Sequence, residues 1–275
     1  MWRRAACGRP ASINSRSRST IPSNQGAKLS FILPKHLTEA IAQLSRQCGV
    51  TLFMTLLAAY KTLLYCYTGQ EDIRIGSPIA NRNQVELEKL IGFFINTLVL
   101  RGDLSGNPSF KELLVRSRQV TLGAYAYQDL PYEKLVEALQ PERKSGQLSL
   151  YHTWFVLQNA PMPPLELPGL KMNLVDIDTS TVRHDLLLNI WESSEGFNCT
   201  FEYKTDLFDK SIISRFVQSF QTLLRQVLDN PNIKLNDLAT LISETDKQQQ
   251  LIQAEDIQAT GIQKLKIIKR KPITN

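Results

Sequence analysis

Residues 73–101, IRIGSPIANRNQVELEKLIGFFINTLVLR, decide the fold. Two runs of apolar and β-branched residues, Ile73–Ile75 and Phe93–Leu100, flank a polar excursion, and Gly102 ends the second run. Runs of this composition predict buried strands. Asn96 lies inside the second run, where an amide without partners would cost about 1–3 kcal/mol. Two interpretations follow: Asn96 is held by backbone groups at a bulge, or it faces a channel.

The chain on either side of this stretch alternates between extended and helical patterns. Strands are predicted at 28–33, 151–157, 170–177, 186–191 and 197–204, and helices at 34–48, 52–67, 109–125, 131–139 and 209–227. The helix at 52–67 is apolar nearly all round, which is typical of a buried core helix. This mixed order predicts an α/β fold in which helices pack on a mixed sheet.

Several polar residues inside these elements are candidates for function. Gln128 and Asp129 lie where a short helix starts, and capping of free backbone N–H groups is the simpler interpretation of that pair. His152 lies within a predicted central strand, where a lone histidine is more often a hydrogen-bonded core residue than a base. His184 and Asp185 point to opposite faces of an extended chain, so they are not expected to orient one another as a catalytic dyad.

The net charge of +6 comes from the two ends of the chain. Residues 1–38 carry seven basic residues and no acid, and residues 264–275 carry five more, again without an acid. Without those twelve cations the body has 20 basic against 26 acidic residues, which does not favour nucleic-acid binding. Residues 1–27 are predicted to be a disordered basic segment, for which an organelle transit peptide is an alternative, and 243–275 a Gln-rich and basic tail.

Composition and motifs exclude several classes of protein. No apolar run approaches the 18 or more residues of a membrane span, so no membrane partner is expected. The cysteines, Cys7, Cys48, Cys66 and Cys199, are scattered without metal-ligand spacing, which favours reduced thiols, no bound metal and a cytoplasmic location. The P-loop, GxGxxG, GxSxG and HExxH motifs are also absent from the sequence.

Five stretches, in this order and spacing, resemble the condensation domains of nonribosomal peptide synthetases. They are 50–82 (VTLFMTLLAAYKTLLYCYTGQEDIRIGSPIANR), 91–101 (IGFFINTLVLR), 127–143 (YQDLPYEKLVEALQPER), 155–159 (FVLQN) and 201–209 (FEYKTDLFD). The resemblance covers residues 28–242. It implies a chloramphenicol-acetyltransferase-like fold of two lobes, with a tunnel between them that a phosphopantetheine arm enters from each side. The matching stretches correspond to the C-terminal lobe only.

The family's catalytic HHxxxDG motif belongs to the other lobe, and this sequence has neither an adjacent His pair nor an Asp-Gly dipeptide. Two other motifs differ from the family pattern: RKSGQLSL at 143–150 stands where RDxSRNPL is usual, and Tyr127 replaces the His of HQDxPFE. The resemblance places Ser77, Pro78, Asn96, Gln128 and Asp129 near the tunnel or the lobe interface. None is expected to be catalytic.

Three hypotheses for function remain open. The first is a partial condensation domain that is inactive alone, exposes an apolar face for a missing N-terminal lobe, and meets substrates on the phosphopantetheine of carrier proteins, without a bound cofactor of its own. The second is a non-catalytic interaction module that binds another synthetase subunit or a carrier protein. The third is a small acyltransferase that uses His152 or His184.

Overall fold

The structure is a computed structural model of the chain and describes residues 24–82, 84–140, 150–158, 180–248 and 250–251. The strands of the described part are β1 (Gly26–Pro34), β2 (Asp72–Ile79), β3 (Asn96–Asp103), β4 (Thr153–Gln158), β5 (Leu186–Ser193) and β6 (Gly196–Lys204). The helices are α1 (Lys35–Gln47), α2 (Leu52–Thr68), α3 (Val85–Glu88), α4 (Phe110–Ala126), α5 (Tyr132–Leu139), α6 (Lys210–Asp229) and α7 (235–248). The predicted strand at 170–177 lies outside the described residues.

The strands form one mixed sheet in the order β1-β6-β5-β4-β2-β3. β4 pairs in parallel with both β2 and β5, while the three remaining pairings are antiparallel. This mixed sheet with its helices confirms the predicted α/β class. Alternate strand residues face the helices, as Phe155 of β4 and Phe201 of β6 do in their ring contacts with Tyr60 of α2, at 6.1 and 6.3 Å between centroids.

The second strand of the deciding stretch begins later than its apolar pattern predicts. β3 starts at Asn96, which pairs with Ile79, the last residue of β2. Asn81 then takes a positive φ of 52° and leads the chain away from the sheet. Residues 93–95 therefore have no β2 residue opposite them, and the prediction of a buried strand from Phe93 is wrong, since Phe93 is 91% exposed.

The helix α2 is buried over most of its length, as predicted, and Lys61 is buried with it. Gly102 does not end β3 but pairs with Ile73, and a Cβ at Gly102 would lie 2.7 Å from Lys61 Cδ. The missing side chain at Gly102 therefore makes room for the lysine stem. No single helix within the described residues is long and apolar enough to cross a membrane, although α1 and α2 pass that test together as a pair bent by 105°.

The helix α7 crosses the predicted tail boundary at residue 243. Its Asp246 is buried and accepts hydrogen bonds from Tyr67 of α2, at 2.6 Å, and from Ser219 of α6, at 3.0 Å. Leu235, Leu238 and Ile242 of the same helix belong to the core. Residues up to about 246 thus pack on the lobe, and the division of the chain at 243 stays a prediction.

Candidate functional site

The sheet and the α4–α5 connection bring three of the five predicted site residues together. Pro78 of β2 pairs with Thr97, next to Asn96, and the Asn96 side chain reaches the backbone of Gln128. Asp129 is exposed in the same turn as Gln128. Ser77 is 3% exposed and lies on the strand face that carries buried Ile75. A tunnel or interface role for the five residues stays a prediction.

Asn96 uses the full hydrogen-bonding capacity of its amide. Its Nδ2 donates to the carbonyls of Gln128 and Leu130, both at 2.8 Å. Its Oδ1 accepts from the backbone N–H groups of Thr97, at 2.8 Å, and Tyr132, at 3.1 Å. An amide offers two donors and two acceptor lone pairs, and here all four are used by backbone groups. This geometry matches the first interpretation of Asn96, a side chain pinned by backbone, although it sits at a strand end and not at a bulge.

The bond from Tyr132 makes Asn96 a cap for α5. Pro131 occupies the N-cap position of that helix and makes no side-chain capping bond. The acceptor for the first helical N–H comes instead from Asn96, 36 residues earlier in the sequence. Gln128, which the sequence predicts as a capping residue, contributes its backbone carbonyl to the same cluster. Asn96 therefore fixes the turn that carries Gln128 and Asp129 against the end of β3.

Large apolar side chains are exposed on both segments that Asn96 joins. They define the exposed apolar surface of the lobe: Val85, Leu90, Ile91, Phe93, Ile95, Tyr127 and Leu130. The flanking helices α3 and α5 have no buried residue, even though Leu135, Val136 and Leu139 give α5 an apolar side. A single exposed apolar residue is ordinary, and seven of them on two segments joined by Asn96 make this surface the candidate for an interaction.

Arg82 holds the segment that carries most of this surface. Its guanidinium lies over the ring of Phe94, 4.3 Å from the centroid, and donates to the carbonyl of Leu87. A cation above an aromatic face contributes about 0.5–1 kcal/mol at a partly exposed site. Arg82 and Asn96 therefore secure the two ends of the excursion between β2 and β3, and the exposed side chains are presented on a preformed backbone.

His152 takes a position that the sequence did not predict. His152 precedes β4, its side chain is 46% exposed, and its Nδ1 lies 3.6 Å from Asp185 Oδ2, so the prediction of a core histidine within the strand is wrong. Asp185 also pairs with the buried Lys204, at 3.3 Å. His184 stacks on Trp154, with 4.3 Å between ring centroids, and burial lowers its pKa to about 4.

A cluster of aromatic rings lies beside the site, and the sequence did not predict it. Tyr151 contacts Tyr132 of α5 and Trp154 of β4, each at 5.5 Å between centroids. The Tyr151 ring occupies the space above Gly76, where a Cβ would approach it to 2.6 Å, and burial raises the pKa of its phenol to about 12. A glycine inside a strand often signals such a close approach, so Gly76 was the available clue.

The described residues give the site exposed apolar side chains and no cluster of metal-binding side chains. They contain no group of three or more His, Cys, Asp or Glu side chains placed to hold a metal ion. His152 and Asp185 lie side by side, with 3.6 Å between Nδ1 and Oδ2, and Asp185 also pairs with Lys204. What the geometry offers is apolar area on a fixed backbone.

A family model and several synthetases match most of this chain. The family model described as "Condensation domain" matches residues 6–251. One of the linear gramicidin synthase proteins of Brevibacillus parabrevis is 44% identical over 243 residues, which are 88% of this chain and 5% of that protein. Malpinin synthetase of Mortierella alpina is 41% identical over 254 residues, 89% of this chain and 3% of that protein. The chain thus spans about a twentieth or less of the length of such relatives.

Solved structures share the fold. The X-domain from teicoplanin biosynthesis superposes with a TM-score of 0.76 at 23% identity, over 82% of this chain and 52% of that chain. The condensation domain from Monacolin K polyketide synthase gives a TM-score of 0.69 at 24% identity, also over 82% of this chain and 52% of that chain. The described lobe therefore corresponds to about half of each of these structures.

Proposed function

The chain belongs to the condensation-domain family, and from that premise we propose that it supplies one lobe of a two-lobed condensation domain and forms no peptide bond by itself. The reaction is amide formation between substrates that carrier proteins hold as phosphopantetheine thioesters. The observation that carries the proposal is the exposed apolar surface, because it is built largely from the stretch that carries the family resemblance.

A partner that covers this surface would bury apolar side chains that are exposed to water. Exposing an aromatic or aliphatic side chain of this size forgoes about 1.5–3 kcal/mol relative to full burial. Phe93 and Ile91 are essentially fully exposed, while Arg82 keeps their backbone in place. Side chains such as Phe93 and Ile91 stabilise the lobe only when a second surface buries them. The contacts of Arg82 hold their backbone ready for such a surface.

The proposed inactivity follows from the chemistry of the histidines. A positioned general base contributes about 10²–10⁴-fold to a proton-transfer step. The sequence lacks HHxxxDG, the His184 ring lies 4.3 Å from the Trp154 ring, and His152 is half-exposed beside Asp185, with 3.6 Å between Nδ1 and Oδ2. The sequence of this lobe therefore offers no counterpart of the family's catalytic motif.

Reconstitution tests the proposal. The chain is mixed with the separately produced N-terminal lobe of a gramicidin-synthase condensation domain and with two aminoacyl-loaded carrier proteins, and dipeptidyl product is measured by mass spectrometry. Product is expected only when both lobes are present. Phe93→Asp should lower it at least tenfold, while Val115→Asp, a matched change at an exposed apolar residue of α4, should not. Product from this chain alone would refute the proposal.

The alternative is a non-catalytic interaction module, which the same exposed surface and the same missing motif favour. It predicts that the chain binds the N-terminal lobe or a loaded carrier protein without any product from the mixture. Binding that Phe93→Asp abolishes, together with no product under conditions where an intact condensation domain is active, would select this alternative.

A further inference from the structure

We propose that two copies of this chain associate through the outer face of α4, in a symmetric contact in which the two helices run antiparallel. The outer face is called the α4 strip and consists of Lys111, Val115, Arg118 and Leu122. The inference goes beyond the proposed function, because it concerns a second copy of this chain and not another lobe. It rests on exposure, on charge and on the position of α4 next to the exposed apolar surface.

The α4 strip is a continuous row along one side of the helix. Its residues follow each other at intervals of four, three and four positions, which places them on one face. Val115 is 51% and Leu122 45% exposed, and both cations of the strip are exposed as well. The buried residues of α4 lie on the other side: Phe110, Leu113, Leu114, Ser117 and Thr121. The strip therefore presents aliphatic side chains and cations to solvent.

The strip leads into the exposed apolar surface. The helix α4 packs beside β3 and ends at Ala126, and the chain then returns to the start of β3. There Asn96 donates to the carbonyls of Gln128 and Leu130, both at 2.8 Å. Tyr127 and Leu130, which are 78% and 50% exposed, thus follow the strip at the same end of the helix. Together they extend the apolar row past the end of α4.

Charge is distributed unevenly along this row. The strip itself carries the cations Lys111 and Arg118, and Glu112 beside it is engaged by Lys234 at 3.2 Å. Beyond the end of the helix, residues 127–139 have one cation and three carboxylates: Lys134 against Asp129, Glu133 and Glu137. The row is therefore positive at one end and negative at the other, which makes it complementary to itself when reversed.

A two-fold axis at Leu122 brings the opposite ends together. Along the helix axis, Arg118 lies about 6 Å and Val115 about 10 Å before Leu122. The end of α4 at Ala126 lies about 6 Å after it. The partner's Arg118 is then opposite the helix end, and the partner's Val115 is opposite the turn at 127–130. Parallel helices would set cations against cations, so charge selects the antiparallel arrangement, in which every contact forms twice.

The contact is small, which predicts weak association. A helix of 17 residues is about 25 Å long and about 10–12 Å wide. One such face and the adjoining turn bury less than the roughly 800 Å² per partner of stable interfaces. We therefore expect a dimer at micromolar concentrations and above. A second lobe that covers Tyr127 and Leu130 would compete with it, and that consequence alone rests on the proposed function.

Sedimentation equilibrium of the full chain, from micromolar to submillimolar concentrations, tests the association. Arg118→Glu and Glu133→Arg each set like charges together and should weaken the dimer about tenfold. The double variant Arg118→Glu, Glu133→Arg reverses both charges and should restore it. Arg225→Glu, at an exposed cation of α6, is the matched control and should leave it unchanged. A chain that stays monomeric, or a double variant as weak as the single ones, would overturn the inference.

Cysteine cross-linking tests the position of the axis, because a residue on a two-fold axis meets its own copy. Under mild oxidation Leu122→Cys should form a disulfide-linked dimer, and Val115→Cys should link to Leu130→Cys but not to itself. Peptide mapping by mass spectrometry separates these links from those of the native cysteines. Val115→Cys linked to itself, with no link at Leu122→Cys, would refute the arrangement. A monomeric chain that still gives product with the N-terminal lobe would refute the dimer and leave the proposed function standing.

Discussion

Lys61 provides the sharpest test of the core. It lies on α2 with 1% of its surface exposed, and within the described residues the structure gives its amine no hydrogen bond and no ion pair. Its stem lies against Gly102. Burial lowers the pKa of this amine from 10.5 to about 7. A charged amine without a counter-ion is costly in a dry interior, and the amine therefore favours its neutral form.

The sign of the pH dependence follows from proton counting. Between pH 7 and pH 10.5 the unfolded chain holds the Lys61 proton and the folded chain does not, so the free energy of unfolding rises with pH. Each unit of pKa difference corresponds to about 1.4 kcal/mol, which gives an upper bound of about 5 kcal/mol for the whole shift. Between pH 7 and 9 alone, the expected rise is up to about 3 kcal/mol.

The experiment compares Lys61→Met with the unsubstituted chain by urea unfolding at pH 6, 7, 8 and 9. Methionine keeps the length of the stem and removes the titrating amine, so the variant should be more stable at pH 7 and its advantage should shrink as the pH rises. Lys111→Met, on the exposed side of α4, is the control and should follow the unsubstituted chain. If the unsubstituted chain and Lys61→Met show the same slope with pH, Lys61 is not the buried, unpaired amine described above.

Three further substitutions test two contacts of the site and one contact that holds α7. Asn96→Asp turns an amide nitrogen that donates to two carbonyls into an oxygen that repels them, so urea unfolding should show a loss of about 2–4 kcal/mol, and an unchanged midpoint would contradict the cap. Gly76→Ala pushes a methyl group into the Tyr151 ring and should cost about 1–3 kcal/mol, with a shift in near-UV circular dichroism that a mere surface change would not produce. Tyr67→Phe removes the 2.6 Å bond to buried Asp246 and should cost about 1–3 kcal/mol; limited proteolysis within 235–248 should become faster, and equal cleavage would show that the bond does not hold α7.

Periodicity identifies the elements whose burial follows from their own residue pattern. The helix α2 and strand β6 were predicted within a residue or two because each turns an unbroken apolar or alternating pattern toward the core. The start of β3 was not, because the apolar run at Phe93 has the composition of a buried strand but no partner strand. The composition of a segment indicates which side chains favour burial. Whether they are buried depends on a partner strand, which the composition does not predict.

The capping of α5 shows a second limit. A capping residue is sought within a few positions of the helix start, which led to Gln128 and Asp129. The acceptor for the first N–H of α5 comes from Asn96, 36 residues away, through a turn whose path no local pattern encodes. The sequence did contain one clue, an amide inside an apolar run, and the need of that amide for partners made backbone groups one of the two interpretations.

The hydrogen bonds that Asn96 needs also link the sheet to the exposed apolar surface. If residues 93–95 continued β3 opposite another strand, that strand would bury them. Asn96 would then take its hydrogen bonds inside the sheet and not from a distant turn. At the start of β3 the Asn96 amide instead joins the strand to the 128–132 turn, and Phe93, Ile95 and Leu130 next to these bonds are exposed. The second half of the deciding stretch pairs with β2 inside the lobe, and its first half carries the exposed side chains that, in the proposed function, a second lobe covers.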